Sequence, residues 1–438
     1  MMHTDSQGLA VTGAKPEVIA GLDGFVAELL GMGTAVLDIQ TLAEQHRECP
    51  LAQAYAASLC VFAQSPRQSA DGRVWLQRAH AAADSASEHE QIFIAAVEAG
   101  ISGDLDKAIS AHETIAARWP QLRLSAKLAE FHLFETGECA RQRKLMAAFS
   151  AANADDAELL AMYAFSQELN DAPEEAERLA RRALELQPGT PWAEHCLAHV
   201  YARRGEIANG IAALTDWAPH WQAKNQYIRS HNSFHLATLH LAECEFGRAR
   251  ELYRNAIWGF QPQTVVEHTD AILLLWYLEL AGAGANAAGS WHEIVPHILA
   301  SSRELVFPFL SILYLFTLVR AGANRQAAEL LTDFERHAES RNDREHEAWQ
   351  VVGQGLARAT LAYARGQWAQ AAEGFAPLLA CSGKGGGSDE QRGVFDESCL
   401  VSLMQAGELD VARTQLESRI GGREPTPLEK QWLARVKA

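Results

Sequence analysis

Apolar positions recur along this chain at helical spacing and almost nowhere in strict alternation. Residues 16 to about 31 place Val18, Leu22, Phe25 and Leu29 on one face, and the stretches 41–62 and 75–83 add more helix of the same kind. Steps of three and four make one side of a helix apolar, whereas strands need steps of two, so the pattern predicts an all-α protein.

From residue 89 a longer period is superimposed on the helical one. In a 34-residue helix-turn-helix repeat, small residues at positions 8, 20 and 27 let the paired helices approach, glycine near 15 makes the turn and proline near 32 ends the unit. Counting from 89 puts Ala96, Gly103, Ala108 and Pro120 at 8, 15, 20 and 32. Counting from 157 puts Ala164, Ala176, Ala183 and Pro188 at 8, 20, 27 and 32. The offset, 157 − 89 = 68, is two units, so a degenerate unit fits at 123–156. Further units start at 191 (Ala198, Gly205) and near 230 (Ala237, Ala249, Ala256), and two more carry Gly366 with Ala371 and Gly407 with Ala412. The expected fold is a tetratricopeptide-like α-solenoid, a right-handed superhelix of at least six helical hairpins from about 89 to 420 with capping helices at both ends. The expected divisions are a disordered leader over 1–15, capping helices over 16–88, a repeat array with a histidine-rich groove over 89–280, and C-terminal repeats and cap over 281–438.

Two segments depart from the repeat. LVFPFLSILYLFTLV, residues 305–319, is apolar throughout but interrupted by Pro308 and too short to cross a bilayer, so it reads as a buried helix that either fills the superhelix or forms a homodimer interface. CSGKGGGSDEQRG, residues 381–393, reads as a flexible loop. Gln391 and Arg392 follow its glycines, where a guanidinium can hold a carboxylate or phosphate of a small ligand if the loop closes as a lid. The bland alternative is a disordered turn between repeats.

Charge narrows the partners. A formal net charge of −17 opposes binding to nucleic acid or anionic membrane, which need a basic field. The seven cysteines are scattered, odd in number and never paired as CxxC, which suits reduced thiols in the cytoplasm better than disulfides or a structural zinc site.

The candidate chemistry lies between residues 190 and 241, which hold six of the 17 histidines. His195 and His199 are spaced i, i+4, as are His231 and His235, so each pair shares a helix face. Their repeat positions line the concave groove, and Glu168, at position 12 of the preceding unit, reaches the same place. Imidazoles beside a carboxylate supply an acid/base near neutral pH, and three or four imidazoles can instead hold a divalent metal. No motif signals the metal: HExxH is absent, because Cys196 follows His195 and Glu194 precedes it. A single histidine pair is more often packing than a site. Two pairs on adjacent helices, with Glu168 and Asp270 as neighbours, weigh evenly between packing and function. His268 either joins them or sits at a helix start capped by Thr269 or Asp270.

HEQIFIAAVEAGISGDLDKAI, MYAFSQEL, WAEHCLAH with HNSFH, Asp270 and GGGSDEQRGVF, taken in order, resemble the tetratricopeptide repeat protein 38 family over about residues 85–415. The resemblance maps the family's polar positions onto Glu168, His195, His199, His231, His235, Asp270, Gln391 and Arg392, and the candidate substrate contacts are Gln391, Arg392, Asn232 and Tyr163. Where relatives carry FNDxH, this chain reads Phe307, Pro308, Phe309, Leu310, Ser311. Two functions stand against each other: an enzyme or binder of a small polar molecule, of hydrolase or lyase type, and a non-catalytic adaptor that holds a protein or peptide in its groove.

Overall fold

Helix ends organise this molecule. The computed structural model describes residues 3–62, 66–284 and 288–437. At Gly103, Gly137, Asp171, Gly205, Cys244, Gly282, Gly322, Gly366 and Gly407 the backbone turns left-handed, with φ between 56° and 86°. At each of these turns the next residue returns its N–H to a carbonyl five positions back, as from Asp104 to Ala99, Glu138 to Leu133, Glu206 to Tyr201 and Glu408 to Leu403. This double closure is the Schellman end of a helix, which satisfies carbonyls the helix itself leaves open. The first four left-handed residues, 103, 137, 171 and 205, stand 34 apart, and the later ones follow at intervals of 38 to 44.

Nine helical hairpins result among the described residues. They are α5 (Glu88–Ile101) with α6 (Leu105–Arg118), α7 (Arg123–Glu135) with α8 (Cys139–Ala152), α9 (Ala157–Glu168) with α10 (Pro173–Leu186), and α11 (Pro191–Arg204) with α12 (Ile207–Trp221). After them come α13 (Gln226–Ala242) with α14 (Phe246–Leu252), α15 (Val265–Leu280) with α16 (Ala288–Ser301), α17 (Pro308–Arg320) with α18 (Asn324–Ser340), α19 (Gln354–Ala364) with α20 (Trp368–Phe375), and α21 (Asp389–Ala406) with α22 (Leu409–Ile420). Four helices precede the array, α1 (Pro16–Leu30), α2 (Asp38–Gln45), α3 (Pro50–Phe62) and α4 (Pro66–Ala81), and α23 (Pro427–Lys437) follows it. Pro50 opens α3 and so divides 41–62 into two helices, because its ring fits a helix start and not an interior. The fold is an all-α helical-repeat solenoid, and the alanines of the repeat do what the register asks. Ala96, Ala108, Ala164, Ala176, Ala183, Ala198, Ala237, Ala249, Ala371 and Ala412 are all buried, whereas Ala256, in a π-helical turn, is only half-buried. The small-residue stretch AGAGANAAGSW, 281–291, reads in the sequence as a connection between helices, and of it residues 285–287 lie outside the described residues.

The helices form two compact units, one running to Leu197 and including Pro219–Ile228, the other made of Ala198–Ala218 and the chain from Arg229 onward. In the first unit, the core is built on Phe25, Tyr55 and Phe93, whose neighbouring ring centroids lie 5.6 and 5.5 Å apart. Its first residues form a hairpin, β1 (His3–Thr4) with β2 (Ala10–Val11), where disorder was expected. The ties that order it are distant in sequence. Glu90 accepts the Thr12 backbone N–H at 2.9 Å and its hydroxyl at 2.6 Å, and the Gln7 side chain accepts the Arg123 N–H at 2.8 Å.

In the second unit, the apolar segment 305–319 is the centre. Pro308 starts α17, and the helix is buried on every side from Pro308 to Leu318. Trp276 stacks on Phe316 at 3.7 Å, and Tyr363 and Phe395 close around them at 6.1 and 6.2 Å. Residues 308–318 of this segment are thus packed inside the unit, as the first of the two expectations has it. Arg320 locks the same cluster, pairing with Glu279 and donating to the Ala364 carbonyl at 2.9 Å. Segments far apart in the sequence of this unit also meet. The Tyr277 hydroxyl donates to the Glu390 carbonyl at 2.7 Å, and Arg203 lies 3.3 Å from Asp389. No described helix is long and apolar enough to cross a membrane.

Candidate functional site

The side chain at the middle of the candidate site is His231, in the first half of α13. Its position follows from two neighbours along the chain, Ser230 and Phe234, and from α15, which brings Asp270 alongside. His231 Nδ1 lies 2.9 Å from Asp270 Oδ1, and the Ser230 hydroxyl donates to Asp270 Oδ2 at 3.0 Å. A carboxylate only accepts, so the proton of a neutral His231 sits on Nδ1 and its Nε2 carries a lone pair. The Ile257 carbonyl, at the end of a π-helical turn over Tyr253–Ile257, lies 3.4 Å from the Ser230 hydroxyl and completes its surroundings.

One turn on, His235 directs its Nε2 at the same point: the Nε2 atoms of His231 and His235 are 3.4 Å apart. The His199 ring is 4.6 Å from that of His235. His199, His235 and Asp270 are at most 2% exposed, and His231 is 7% exposed, so this is an interior site. Burial, then His199 and His231 beside it, hold His235 well below the ordinary histidine range, which keeps its imidazole neutral. Asn232 is buried next to His231 on α13.

The second unit thus unites His199, His231, His235 and Asp270. The remaining candidates are placed as follows. His195, one turn before His199 on α11, belongs to the first unit and packs edge-on against Phe165 and Trp192 at 4.9 and 5.0 Å. Glu168 and Tyr163 are on α9 in the same unit, Glu168 fully buried and Tyr163 half-buried. Burial and the Glu168 charge raise the Cys196 thiol well above its usual range, so Cys196 is a core residue without thiolate character.

Gln391 and Arg392 are committed locally. Gln391 completes a capping box with Ser388 at the start of α21, its side chain accepting the Ser388 N–H at 2.9 Å, while Arg392 pairs with Asp389 and the Gly387 carbonyl. Instead of a flexible loop, 376–385 winds as a 3₁₀ helix. Its glycines serve packing: a Cβ on Gly386 would meet Phe307 at 2.9 Å and one on Gly387 would meet Phe309 at 3.1 Å. The aromatic residues standing where FNDxH was expected therefore support this turn. His268 is also structural. Its Nε2 donates to the Pro262 carbonyl and its Nδ1 accepts from the Tyr314 hydroxyl, both at 2.8 Å, and burial pushes it down to about 4. Thr264 precedes α15, so Thr269 and Asp270 lie inside that helix and cap nothing.

Sequence reasoning missed Ser230, whose only signal was its place beside His231. It also missed a polar interior in the first unit. Lys127 pairs with Glu130 at 2.8 Å and lies 4.3 Å over the Trp192 ring, and Glu158, buried near them, accepts from Gln187 through Oε1 while its Oε2 has no partner. Burial pushes Glu158 up to about 7 despite Lys224, Arg123 and Lys127 nearby.

No family model matches the chain. Among solved structures it is similar to the human IFIT1 dimer with m7Gppp-AAAA, at 12% identity and a TM-score of 0.46 over 100% of this chain and 95% of that one. It is also similar to a monomeric IFIT1 mutant with Gppp-AAAA, at 13% identity and 0.43 over 89% and 90%, and to Naa15/Naa10 bound to HypK-THB, at 12% and 0.26 over 80% and 61%. At these identities and scores the likenesses carry no argument for a ligand or an activity.

Proposed function

We propose that the second unit carries a reactive histidine site for a small polar molecule, with chemistry of the hydrolase or lyase kind. The observation that carries this reading is the Asp270–His231 hydrogen bond, 2.9 Å long, with the second carboxylate oxygen held by Ser230. One nitrogen of His231 is fixed by a buried carboxylate, and the other faces the Nε2 of a second buried imidazole, His235, 3.4 Å away. That is the arrangement by which proteins fix the tautomer and direction of an imidazole. His231 is the electron-pair donor of the site, Asp270 and Ser230 orient it, and His235 and His199 line the space it faces. The resemblance to the tetratricopeptide repeat protein 38 family supports the same residues.

Burial favours a small ligand over a peptide. A peptide in a groove needs open walls along several turns, whereas these four side chains are 0–7% exposed. The capped RNA in the IFIT1 structures is not carried over to this chain, because a net charge of −17 opposes a phosphate backbone.

The test is untargeted metabolite profiling of a cell extract incubated with the purified protein, with His231→Asn and Asp270→Asn as controls. The expected result is a small polar species changed by the native chain and changed about 10²–10⁴-fold more slowly by His231→Asn. Identical profiles for native protein and both variants, with folding confirmed by circular dichroism, would refute the reading.

A further inference from the structure

We infer that His231 and His235 are ligands of a divalent transition-metal ion, held between their Nε2 atoms with Asp270 behind His231. The inference rests on the site proposed above and names the group that His231 donates to. Three observations support it.

The first is a distance. The two Nε2 atoms are 3.4 Å apart. An N–H donor and its acceptor normally stand about 2.7–3.2 Å apart, so this spacing is long for a hydrogen bond. Two imidazole nitrogens about 2.0–2.1 Å from one tetrahedral ion stand roughly 3.3–3.4 Å from each other. The spacing is that of a ligand edge.

The second is direction. Ligating imidazoles use one nitrogen for the metal and give the other to a carboxylate or carbonyl, which sets the tautomer. His231 does this through Nδ1 to Asp270 at 2.9 Å, and Asp270 is itself braced by Ser230 at 3.0 Å. A histidine kept only for packing has no use for a buried carboxylate that is in turn positioned by a hydroxyl.

The third is the donor set. His231 and His235 each offer Nε2, and imidazole nitrogens with no thiolate suit zinc, iron or a similar ion rather than calcium or magnesium. With the protein supplying imidazoles only, a coordination position is left for water or substrate. A bound ion there polarises that oxygen, which is the general role of open metal sites in hydrolysis.

The experiment uses the full-length chain, expressed without a histidine tag, treated with chelator and titrated with Zn²⁺ and with Co²⁺. One ion per chain is expected by elemental analysis, with the visible spectrum of four-coordinate Co²⁺. His235→Ala should abolish the stoichiometric site, and Asp270→Asn should weaken it about 10–100-fold while the chain remains folded. His112→Gln, which changes a buried histidine of the first unit, controls for general loss of packing and should leave binding unchanged. Failure of the native chain to bind either ion above the level of the His231→Ala/His235→Ala double variant overturns the inference. Turnover that depends on His231 but needs no metal would do the same while leaving the proposed function standing. Stoichiometric binding with no small-molecule turnover would keep the metal site and remove that function.

Discussion

Glu158 offers a sharp test of how the first unit treats charge. It sits in the first turn of α9, where a helix normally favours an anion, yet it is 5% exposed and burial pushes its carboxyl from 4.5 to about 7. The folded pKa is raised above the unfolded one, so stability is fully present below about 4.5 and is lost as pH rises through about 7. In the unfolded chain the carboxyl ionises first, and the folded state must either keep a proton that solution no longer supplies or bury a charge. At 1.36 kcal/mol per unit, the difference of about 2.5 units limits the effect to roughly 3.4 kcal/mol, and linkage places about 2.5 kcal/mol of it between pH 5 and pH 8. Glu158→Gln copies the protonated form. Gln187 keeps its acceptor at Oε1, and the amide nitrogen occupies the place of the Oε2 atom that has no partner. Urea unfolding of both proteins at pH 5, 6, 7 and 8 isolates the group, because every other carboxyl is common to the pair. The variant should gain on the native chain as pH rises, by about 2.5 kcal/mol over the range. A difference that is flat with pH, or that falls, would show that Lys127, Lys224 and Arg123 hold Glu158 as an anion and that the desolvation argument is wrong.

Two further perturbations probe the turns and the core. Cys244 holds a left-handed φ of 60° in a place where seven of the nine turns have glycine, so Cys244→Gly should stabilise by about 0.5–1 kcal/mol in chemical denaturation, less the extra freedom glycine has when unfolded. Asp171→Gly should give a smaller gain, since Asp tolerates that conformation, and a loss in both variants would contradict the strain argument. Trp276→Ala removes a fully buried ring stacked on Phe316 and should cost about 3–5 kcal/mol, and a cost below about 1.5 kcal/mol would mean the aromatic centre of the second unit collapses freely.

The parts of the fold that depend on local chemistry were legible. Alanine at close helix crossings and glycine at left-handed turns announce themselves at a fixed spacing, and the degenerate unit inferred at 123–156 is α7 with α8, turning at Gly137. The count was hidden only where Asp171 and Cys244 take the glycine conformation without being glycine. In the second unit the longer spacing, 38 to 44 residues, defeats a strict 34-residue register. What depends on distant partners was not legible. Nothing near Thr12 announces Glu90, so a leader of small polar residues reads as disordered although it is tied down. At the site, the i, i+4 spacing of His231 and His235 and the presence of Asp270 could be read, because helix geometry alone brings the pair together. The role of Ser230 could not, since it depends on α13 lying beside α15. Gln391 and Arg392 were read toward a ligand because a capping box and a binding loop use the same residue types.

The contact between Tyr277 and Glu390 also bears on how the chain is made. A repeat protein whose hairpins touch only their neighbours can fold as it leaves the ribosome, each unit covering the one before. Here the inner face of α15, with Trp276 and Tyr277, is covered by residues of α21 that are synthesised more than a hundred positions later. Until Phe395 has emerged that face is covered only in part, by Phe316 and Tyr363, and ribosomes adding about 5–20 residues per second leave it so for several seconds or more. The last hairpin is therefore no dispensable end-piece: a chain broken off before it would present an apolar helix to chaperones and proteases, not a shorter version of the same protein.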